Sequence, residues 1–382
     1  MSGLTEAAQR SRTRRIARVR ERMGELGVGA LLLSHGADLP WLTGYQAMPL
    51  ERLTVLVLPL EGEPVLVVPG LEAPRVATAP DVFAIRSWSD TEDPVALVGK
   101  VLGHLGRSPR LAISDRAWAT SLLALQAAVP DATWTTASSV TSPIRAVKDA
   151  AELAALRAAG AAADRVAADL QGGAIGLVGR TEAEVSADLA ARVVAECHTR
   201  VNFAIVGSGP NAASPHHEPG DRVIGPGETV VCDFGGTLSL DGEVGYCSDI
   251  TRTVVTGEPS DEVAECYEVL RTAQAAAVQA AGAGVPAETV DAVARGVIEE
   301  AGLGDRFVHR TGHGIGIEEH EDPYLVAGNA TLLQAGHAFS VEPGIYVPGR
   351  FGMRLEDIVI IGEDGGPEPL NRADHALTVL EA

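Results

Sequence analysis

Aromatic residues make up only 4% of this 382-residue chain. Its core is therefore expected to be assembled from the abundant Ala, Gly and Val rather than from large rings. Cysteine is nearly absent. Cys197, Cys232, Cys247 and Cys266 show no CxxC spacing, which fits a reduced protein without structural disulfides. No run of about 18 apolar residues is free of charge or glycine, so no membrane span is expected. Positive charge is also in deficit: 30 basic residues face 51 acidic ones, a formal charge of −21. That balance argues against nucleic acid or anionic lipid as a partner. The N-terminal stretch carries Arg10, Arg12, Arg14, Arg15, Arg18, Arg20 and Arg22 without an apolar signal-type core. It reads as the opening of a surface helix in a cytoplasmic protein.

What is present is the half-apolar, one-fifth-charged composition of a globular protein of more than one domain. Residues 1–145 alternate helix and strand. A helix is expected over residues 5–26, ending at Gly27. Strands are expected at residues 30–33, 53–58, 64–68 and 110–114, the middle two as a pair around Glu61-Gly62-Glu63. The pattern changes near Pro143-Ile144-Arg145, which places a second domain at 146–382. A long Ala-rich helix over residues 150–170 opens it, and Thr181 with Glu184 forms a capping-box signature for the next helix. Strands then dominate (229–234, 250–255, 338–341 and one continuous strand over 353–361), with helices near 261–281 and 286–301. The expected fold class is α+β, with a smaller α/β domain in front.

The chemistry-bearing residues all fall in the second domain. Asp233 ends the apolar run Thr229-Val230-Val231-Cys232 and precedes Phe234-Gly235-Gly236, where a carboxylate is suited to capping a turn. Asp249 shares one strand face with Thr251 and Thr253, while Ile250 and Val254 face the other way. His313 stands in Gly312-His313-Gly314-Ile315-Gly316, where the glycines free the backbone and keep bulk away from the imidazole. Glu342 ends a strand at Pro343-Gly344. Glu356 interrupts the apolar run that continues Ile358-Val359-Ile360-Ile361, and if buried it needs a partner, for which Arg354 is the nearest candidate. Two Asp, one His and two Glu at strand ends and glycine-rich turns form a donor set for cations. Four carboxylates balance two divalent ions in charge. Mostly oxygen donors with one imidazole favour Mn²⁺, Co²⁺ or Fe²⁺ over a structural zinc site. Two such ions about 3.5 Å apart are a hydrolytic arrangement.

The ordered motifs Asp-Phe-Gly, Ser-Asp-Ile-Thr-Arg-Thr, Gly-His-Gly-Ile-Gly, Glu-Pro-Gly-Ile-Tyr and Arg-Leu-Glu-Asp resemble those of the pita-bread metallopeptidases. That family includes methionine aminopeptidase, aminopeptidase P and Xaa-Pro dipeptidase (prolidase). The resemblance covers about residues 150–382. Residues 1–145 are similar to the creatinase/prolidase N-terminal domain, with Asp38-Leu39-Pro40-Trp41-Leu42-Thr43-Gly44-Tyr45 fitting its pattern. It implies a pita-bread catalytic domain with two divalent metal ions per chain, Mn²⁺ foremost and Co²⁺, Fe²⁺ or Zn²⁺ as other occupants. By the same resemblance Asp233 would chelate one metal, Asp249 and Glu356 would bridge both, and His313 and Glu342 would complete the second. A bridging hydroxide would attack the peptide carbonyl. His216 would bind substrate, and His320 would stabilise the tetrahedral intermediate. Glu342 would also shuttle a proton, and Arg354 would orient the carboxylates. The implied substrates are peptides with proline at the second position, and the implied assembly is a homodimer.

His217 is expected to be structural or peripheral. His35, His104, His198, His309, His337 and His375 are expected to be surface or satisfied core histidines. Two departures from the family pattern stand out. Asp233 and Asp249 are 16 residues apart, a longer gap than is usual, read as an extended hairpin around Asp241-Gly242. Some prolidases also place an Arg shortly after the His320 equivalent to bind a dipeptide's carboxylate, where this chain reads Asp322-Pro323-Tyr324. Dipeptidase and aminopeptidase P therefore both stay open. A metal-free creatinase-like amidinohydrolase and a non-catalytic peptide-binding module are the alternatives. Creatinases do without these ligands and binding modules typically lose them, whereas all five are present here.

Overall fold

The computed structural model describes residues 6–381 except 80, 104, 107, 241 and 242. The chain divides into two compact units, Met1–Arg145 and Ala146–Ala382. In the first, helix α1 (Glu6–Leu26) buries Ile16, Val19 and Met23, spaced by three and four residues, so one face meets the core. There follow β1 (Ala30–Leu33), α2 (Asp38–Thr43), β2 (Val55–Pro59), β3 (Val65–Pro69), β4 (Ala84–Trp88), α3 (Pro94–Leu102), β5 (Arg110–Ile113), α4 (Ala119–Ala128), β6 (Thr133–Thr136) and α5 (Ser138–Ala146). The six strands form one sheet in the order β4-β3-β2-β1-β5-β6. Strands β2 and β3 pair antiparallel, as expected. The all-apolar β1 lies near the middle of the sheet and is buried along its whole length, which is why it reads as a continuous apolar run rather than an alternation.

The second unit opens with α6 (Ala150–Gln171) and α7 (Glu182–Ala195), each started by a complete capping box, Asp149 with Glu152 and Thr181 with Glu184. Ala155, Ala159, Ala163 and Ala167 recur every four residues along α6 and are buried, so the helix packs close through small side chains. The remaining elements are β7 (Arg200–Ser208), β8 (Thr229–Leu238), β9 (Tyr246–Cys247), β10 (Ile250–Thr256), α8 (Asp261–Ala280), α9 (Ala287–Glu300), β11 (Gly312–Gly314), β12 (Glu321–Leu325), β13 (Ala338–Val341), β14 (Gly344–Val347), β15 (Phe351–Arg354), β16 (Asp357–Ile361), β17 (Pro367–Pro369) and β18 (Thr378–Leu380). One sheet runs β18-β10-β8-β7 with β9 on β8, a second runs β12-β11-β13-β16-β17, and β14 and β15 form a hairpin. Helices and sheets together give the mixed α+β content expected.

Three local expectations are corrected. Strand β8 does not end at Phe234 but runs on through Gly235 and Gly236 to Leu238. A Cβ at either glycine would collide with a neighbouring backbone carbonyl oxygen, of Ser248 and of Arg200 respectively. Asp233 therefore sits inside a strand and does not cap a turn. Residues 353–361 are not one strand. Strand β15 pairs with β14 and β16 pairs with β13, and the chain breaks between them at Leu355-Glu356. The Glu356 amide donates instead to the Thr251 carbonyl (3.2 Å). Neither Gly312 nor Gly314 has positive φ. Both are needed for close strand approach, since a Cβ would strike the carbonyl oxygens of Ser340 and Asp322. The tip expected at Asp241-Gly242 lies outside the described residues, as does Thr5, while the ladder beneath the tip pairs Thr237 with Cys247 and Leu238 with Tyr246.

Candidate metal centre and active-site cavity

A cavity of about 570 Å³ in the second unit is lined by Phe203, Ile205, Pro215, His216, Asp233, Asp249, His309, Arg310, His313, His320, Glu342, Arg354 and Glu356. All eight site residues expected from the sequence are in this lining. The β8–β10 ladder puts Asp233 opposite Thr251, with Asp249 just ahead of β10. The β13–β16 ladder ends on the pair Val341 and Asp357, so Glu342 and Glu356 emerge side by side from one end of that ladder.

The donor atoms converge. One ligand atom each from Asp249, His313 and Glu356 lies within 4.8 Å of the others, and all three residues are buried. His313 Nε2 stands 3.2 Å from Glu342 Oε1 and 3.8 Å from Asp249 Oδ2. His313 Nδ1 lies 3.1 Å from the Gly314 carbonyl oxygen. A carbonyl only accepts, so the Nδ1 proton is committed there and Nε2 is the nitrogen facing the carboxylates. Ser340 Oγ donates to Glu342 Oε1 (3.1 Å) and accepts from the His313 amide (3.0 Å). Thr251 Oγ1 donates to Glu356 Oε2 (2.6 Å) and accepts from Arg354 Nε (3.0 Å).

Arg354 was expected to pair with Glu356. Its carboxylate partner is Asp233, whose Oδ2 accepts from Nη2 at 2.6 Å. The end of β15 directs the guanidinium across to β8, and Thr251 takes the place beside Glu356. Nη1 of Arg354 donates to the Pro215 carbonyl (3.1 Å) and to the Tyr346 hydroxyl (3.0 Å). The Tyr346 hydroxyl stands 2.9 Å from His309 Nε2, while His309 Nδ1 donates to the Arg310 carbonyl (2.7 Å).

The electrostatics mark the cluster as short of positive charge. Burial, and then the neighbouring Glu356, Asp233 and Glu342, hold the Asp249 carboxyl well above the ordinary range. Burial, then Glu342 and Asp233, do the same to Glu356. Burial also raises Asp233 against the opposing charge of Arg354. Glu342 goes the other way. Burial alone would raise it, but the hydrogen bond and charge of His313, with His309 and Arg354, bring it down to about 2. Asp233 Oδ1 and Asp249 Oδ1 are buried with no hydrogen-bond partner among the described residues. A buried carboxylate oxygen without a partner carries a large desolvation cost. Cations supply what these oxygens and the raised carboxyls lack, and the residues present fit a divalent metal centre.

The His320 ring packs at a tilt of 47° against His313 with centroids 3.9 Å apart. Although its edge is open to the cavity, burial there and the charges of His313 and Arg310 push it down to about 4. His217 is turned to Glu182, with Nε2 2.7 Å from Oε2, and His216 is the one of the pair on the cavity wall. His198 is a satisfied core residue between the Val193 carbonyl and Ser248 Oγ. His35 rests against Trp118, and His337 is buried. His375 lies 2.7 Å from Asp357 Oδ2, and His104 is outside the described residues. His309 is satisfied as expected, yet it also lines the cavity. Sequence reasoning missed that placement, as it missed Arg310 and Tyr346. Tyr346 closes the Glu-Pro-Gly-Ile-Tyr motif, and His309 stands four residues before His313; those were the available signals. Asp291 of α9 fixes the intervening segment by accepting from Thr311 N (3.0 Å) and Oγ1 (2.8 Å), while Arg295 donates to the Phe307 and His309 carbonyls.

Buried carboxylates, an imidazole and flanking donors at the ends of two sheets define the site of a metal-dependent hydrolase. The chain belongs to metallopeptidase family M24, whose model matches residues 154–363, and residues 15–147 match the creatinase/prolidase N-terminal domain. It is 46% identical over 370 residues to the probable dipeptidase PepE of Mycobacterium tuberculosis, covering 96% of both chains. The crystal structure of dipeptidase PepE from Mycobacterium ulcerans superposes with a TM-score of 0.91 at 45% identity, covering 100% of both chains. A prolidase from Thermococcus sibiricus superposes with a TM-score of 0.89 at 37% identity over 96% of this chain and 99% of that one. No helix among the described residues is long and apolar enough to cross a membrane.

Proposed function

We propose that this metallopeptidase is a dinuclear-metal Xaa-Pro peptidase that hydrolyses the bond between an N-terminal residue and a following proline. The observation that carries the reading is the convergence of the Asp249, His313 and Glu356 donor atoms beside two buried carboxylate oxygens that lack a partner. Similarity to proteins named dipeptidase and prolidase supports the substrate class.

Asp233, Asp249, His313, Glu342 and Glu356 would hold two divalent cations, and the oxygen-rich donor set favours Mn²⁺ or another hard first-row ion. Such cations, when bound, acidify water and polarise the scissile carbonyl. The chain's own residues do the rest. Glu342, ionised, accepts a proton from the attacking water and returns it to the prolyl nitrogen, which has no N–H of its own. His320 is neutral at physiological pH and offers an N–H to the carbonyl oxygen as charge develops there. His216, also in the cavity lining, would bind the substrate. Arg354 offsets the burial of Asp233 and orients its carboxylate, and through the Pro215 carbonyl it fixes the segment that carries His216. Phe203, Ile205 and Pro215 give the prolyl ring an apolar wall. The four cysteines are unpaired, which agrees with a reducing cytoplasmic setting.

The test is hydrolysis of Ala-Pro and Gly-Pro by metal-stripped protein before and after addition of Mn²⁺ or Co²⁺. Release of the first residue only after addition is the expected result. Activity that survives stripping would refute the metal requirement. Two bound ions per chain without cleavage would refute the substrate. The amidinohydrolase and binding-module readings require a protein that takes up no metal.

A further inference from the structure

Arg252, in the Ser-Asp-Ile-Thr-Arg-Thr motif, is completely buried and is not one of the cavity-lining residues. Alternation along β10 turns the Thr251 and Thr253 hydroxyls towards Glu356 and the Arg354 carbonyl and sends the Arg252 side chain the other way. There each of its five N–H groups finds an oxygen. Nε donates to the Asp374 carbonyl (3.0 Å). Nη1 donates to the carbonyls of Thr251 (2.9 Å) and Glu356 (2.6 Å). Nη2 donates to Asp357 Oδ1 (2.8 Å) and to the Ala373 carbonyl (3.0 Å). A guanidinium has five donors and no acceptor, so this one is fully spent.

The Nη1 contacts bear on the candidate metal centre. The chain leaves one ladder and joins another at Leu355-Glu356. Main-chain groups released at such a break need other partners when they are buried. The Glu356 amide takes the Thr251 carbonyl (3.2 Å), and the Glu356 carbonyl takes Arg252. A single cationic nitrogen thus holds together two carbonyl oxygens that repel one another. Thr251 Oγ1 also donates to Glu356 Oε2 (2.6 Å). Residue 356 is therefore fixed at its amide, its carbonyl and its carboxylate, and one of its carboxylate oxygens lies within 4.8 Å of donor atoms of Asp249 and His313.

The guanidinium is braced from elements distant in sequence. Asp357 Oδ2 accepts from Gln274 Nε2 of α8 (3.0 Å). The amides of Arg372 and Ala373 donate to Asp164 of α6 (2.6 and 3.1 Å). Residues 372–374 are thereby tied to α6 while two of their carbonyls hold Arg252.

We propose that Arg252 is a positioning residue of the candidate metal centre: by joining the Thr251 and Glu356 carbonyls it sets the Glu356 carboxylate against Asp249 and His313, and residues 372–374 support cation binding through it. This rests on the metal-centre part of the reading above and not on the substrate.

The experiment titrates Mn²⁺ calorimetrically into metal-stripped wild type, Arg252→Lys, Arg252→Met and Gln274→Met, with circular dichroism and the Tm of each stripped protein alongside. Arg252→Lys keeps a charge beside Asp357 but loses the planar fork. It is expected to fold and to bind Mn²⁺ about 10–100-fold more weakly than wild type. Arg252→Met is expected to bind it more weakly still. Gln274→Met loosens the same network while leaving all five Arg252 bonds in place, so its Tm is expected to fall with Mn²⁺ affinity within about threefold of wild type. Hydrogen exchange of wild type provides a measurement that needs no variant. Coupling is reciprocal, so Mn²⁺ is expected to slow exchange of the Glu356, Arg372 and Ala373 amides by about tenfold. A folded Arg252→Lys with wild-type affinity would overturn the proposal. So would a Gln274→Met protein that loses as much affinity as Arg252→Lys, because general loosening would then explain both. If neither Arg252 variant folds, unchanged exchange at Arg372 and Ala373 on Mn²⁺ addition would overturn it. Wild type that takes up no Mn²⁺ would refute the metal-centre reading together with this role, whereas two bound ions without cleavage of Ala-Pro would refute the substrate alone.

Discussion

Arg354 joins Asp233 across two strands: Nη2 stands 2.6 Å from Asp233 Oδ2, and both side chains are largely buried. The same guanidinium reaches the Pro215 carbonyl and the Tyr346 hydroxyl. One residue thus positions a carboxylate of the candidate metal centre, the chain leading to His216 and, through Tyr346, the His309 ring.

A lysine cannot span those partners. Arg354→Lys is expected to fold and to lose about 10–100-fold in kcat/KM and in metal affinity, the usual cost of removing a group that orients ligands. Steady-state hydrolysis of Ala-Pro and metal content after dialysis would measure both. Arg354→Met leaves Asp233 buried without a countercharge and is expected to cost about 3–5 kcal/mol of stability. A chemical denaturation curve would read that loss. A fully active Arg354→Met variant would refute the positioning role.

The raised carboxyls give the metal-stripped protein a specific pH signature. Asp249 and Glu356 titrate well above their ordinary values in the folded chain, and Asp233 is raised as well. Their contribution to stability is complete below the unfolded carboxylate range and is lost as pH rises through the raised folded values. Glu342 works in the opposite sense. Depressed to about 2, it contributes above the ordinary range and is lost only in acid, so it does not oppose this decline near neutrality. The Tm of stripped protein is expected to fall as pH rises above the ordinary carboxylate range, and added Mn²⁺ to restore it most at the upper end with release of protons. Scanning calorimetry across that range with and without the ion checks this. A Tm that rises with pH in stripped protein contradicts it.

The two adjacent histidines should separate cleanly. Glu182 is fully buried and accepts from the Ser208 amide (2.8 Å), Ser208 Oγ (2.7 Å) and Asn211 Nδ2, with His217 Nε2 at 2.7 Å. Burial alone would raise its carboxyl, but the hydrogen bonds from Ser208, His217 and Asn211 hold it below the ordinary range. His217→Phe removes one of these partners and is expected to cost about 1–3 kcal/mol, with a rise in KM from the displaced neighbour. His216→Ala is expected to leave stability within about 0.5 kcal/mol and to lower kcat/KM. Urea unfolding and kinetics on both variants decide, and the reverse assignment of effects would exchange their roles.

Much of the site was legible because its candidate ligands are spaced along strands whose ends the sequence marks plainly. Asp233 follows an apolar run, Glu342 precedes Pro-Gly, and His313 is framed by glycines. Strand and helix ends were likewise readable where capping chemistry is local, as at Thr181 with Glu184. The division of 353–361 was not readable. Leu355 and Glu356 look like strand residues, and only the switch of partner from β14 to β13 breaks the ladder there. The purpose of Gly312 and Gly314 was hidden for the same kind of reason: it lies in the carbonyls of Ser340 and Asp322, distant in sequence.

The order and chemical types of the five candidate metal-site residues, the capped helices and the apolar strands belong to the sequence by itself, because they rest on local periodicity and on the donor chemistry of side chains. Which carboxylate Arg354 neutralises, which of two neighbouring histidines faces the cavity, and that Arg252 reaches the Glu356 carbonyl were decided only by tertiary structure. Each depends on distances between segments that pair or pack far apart along the chain, and short-range pattern carries no information about such distances.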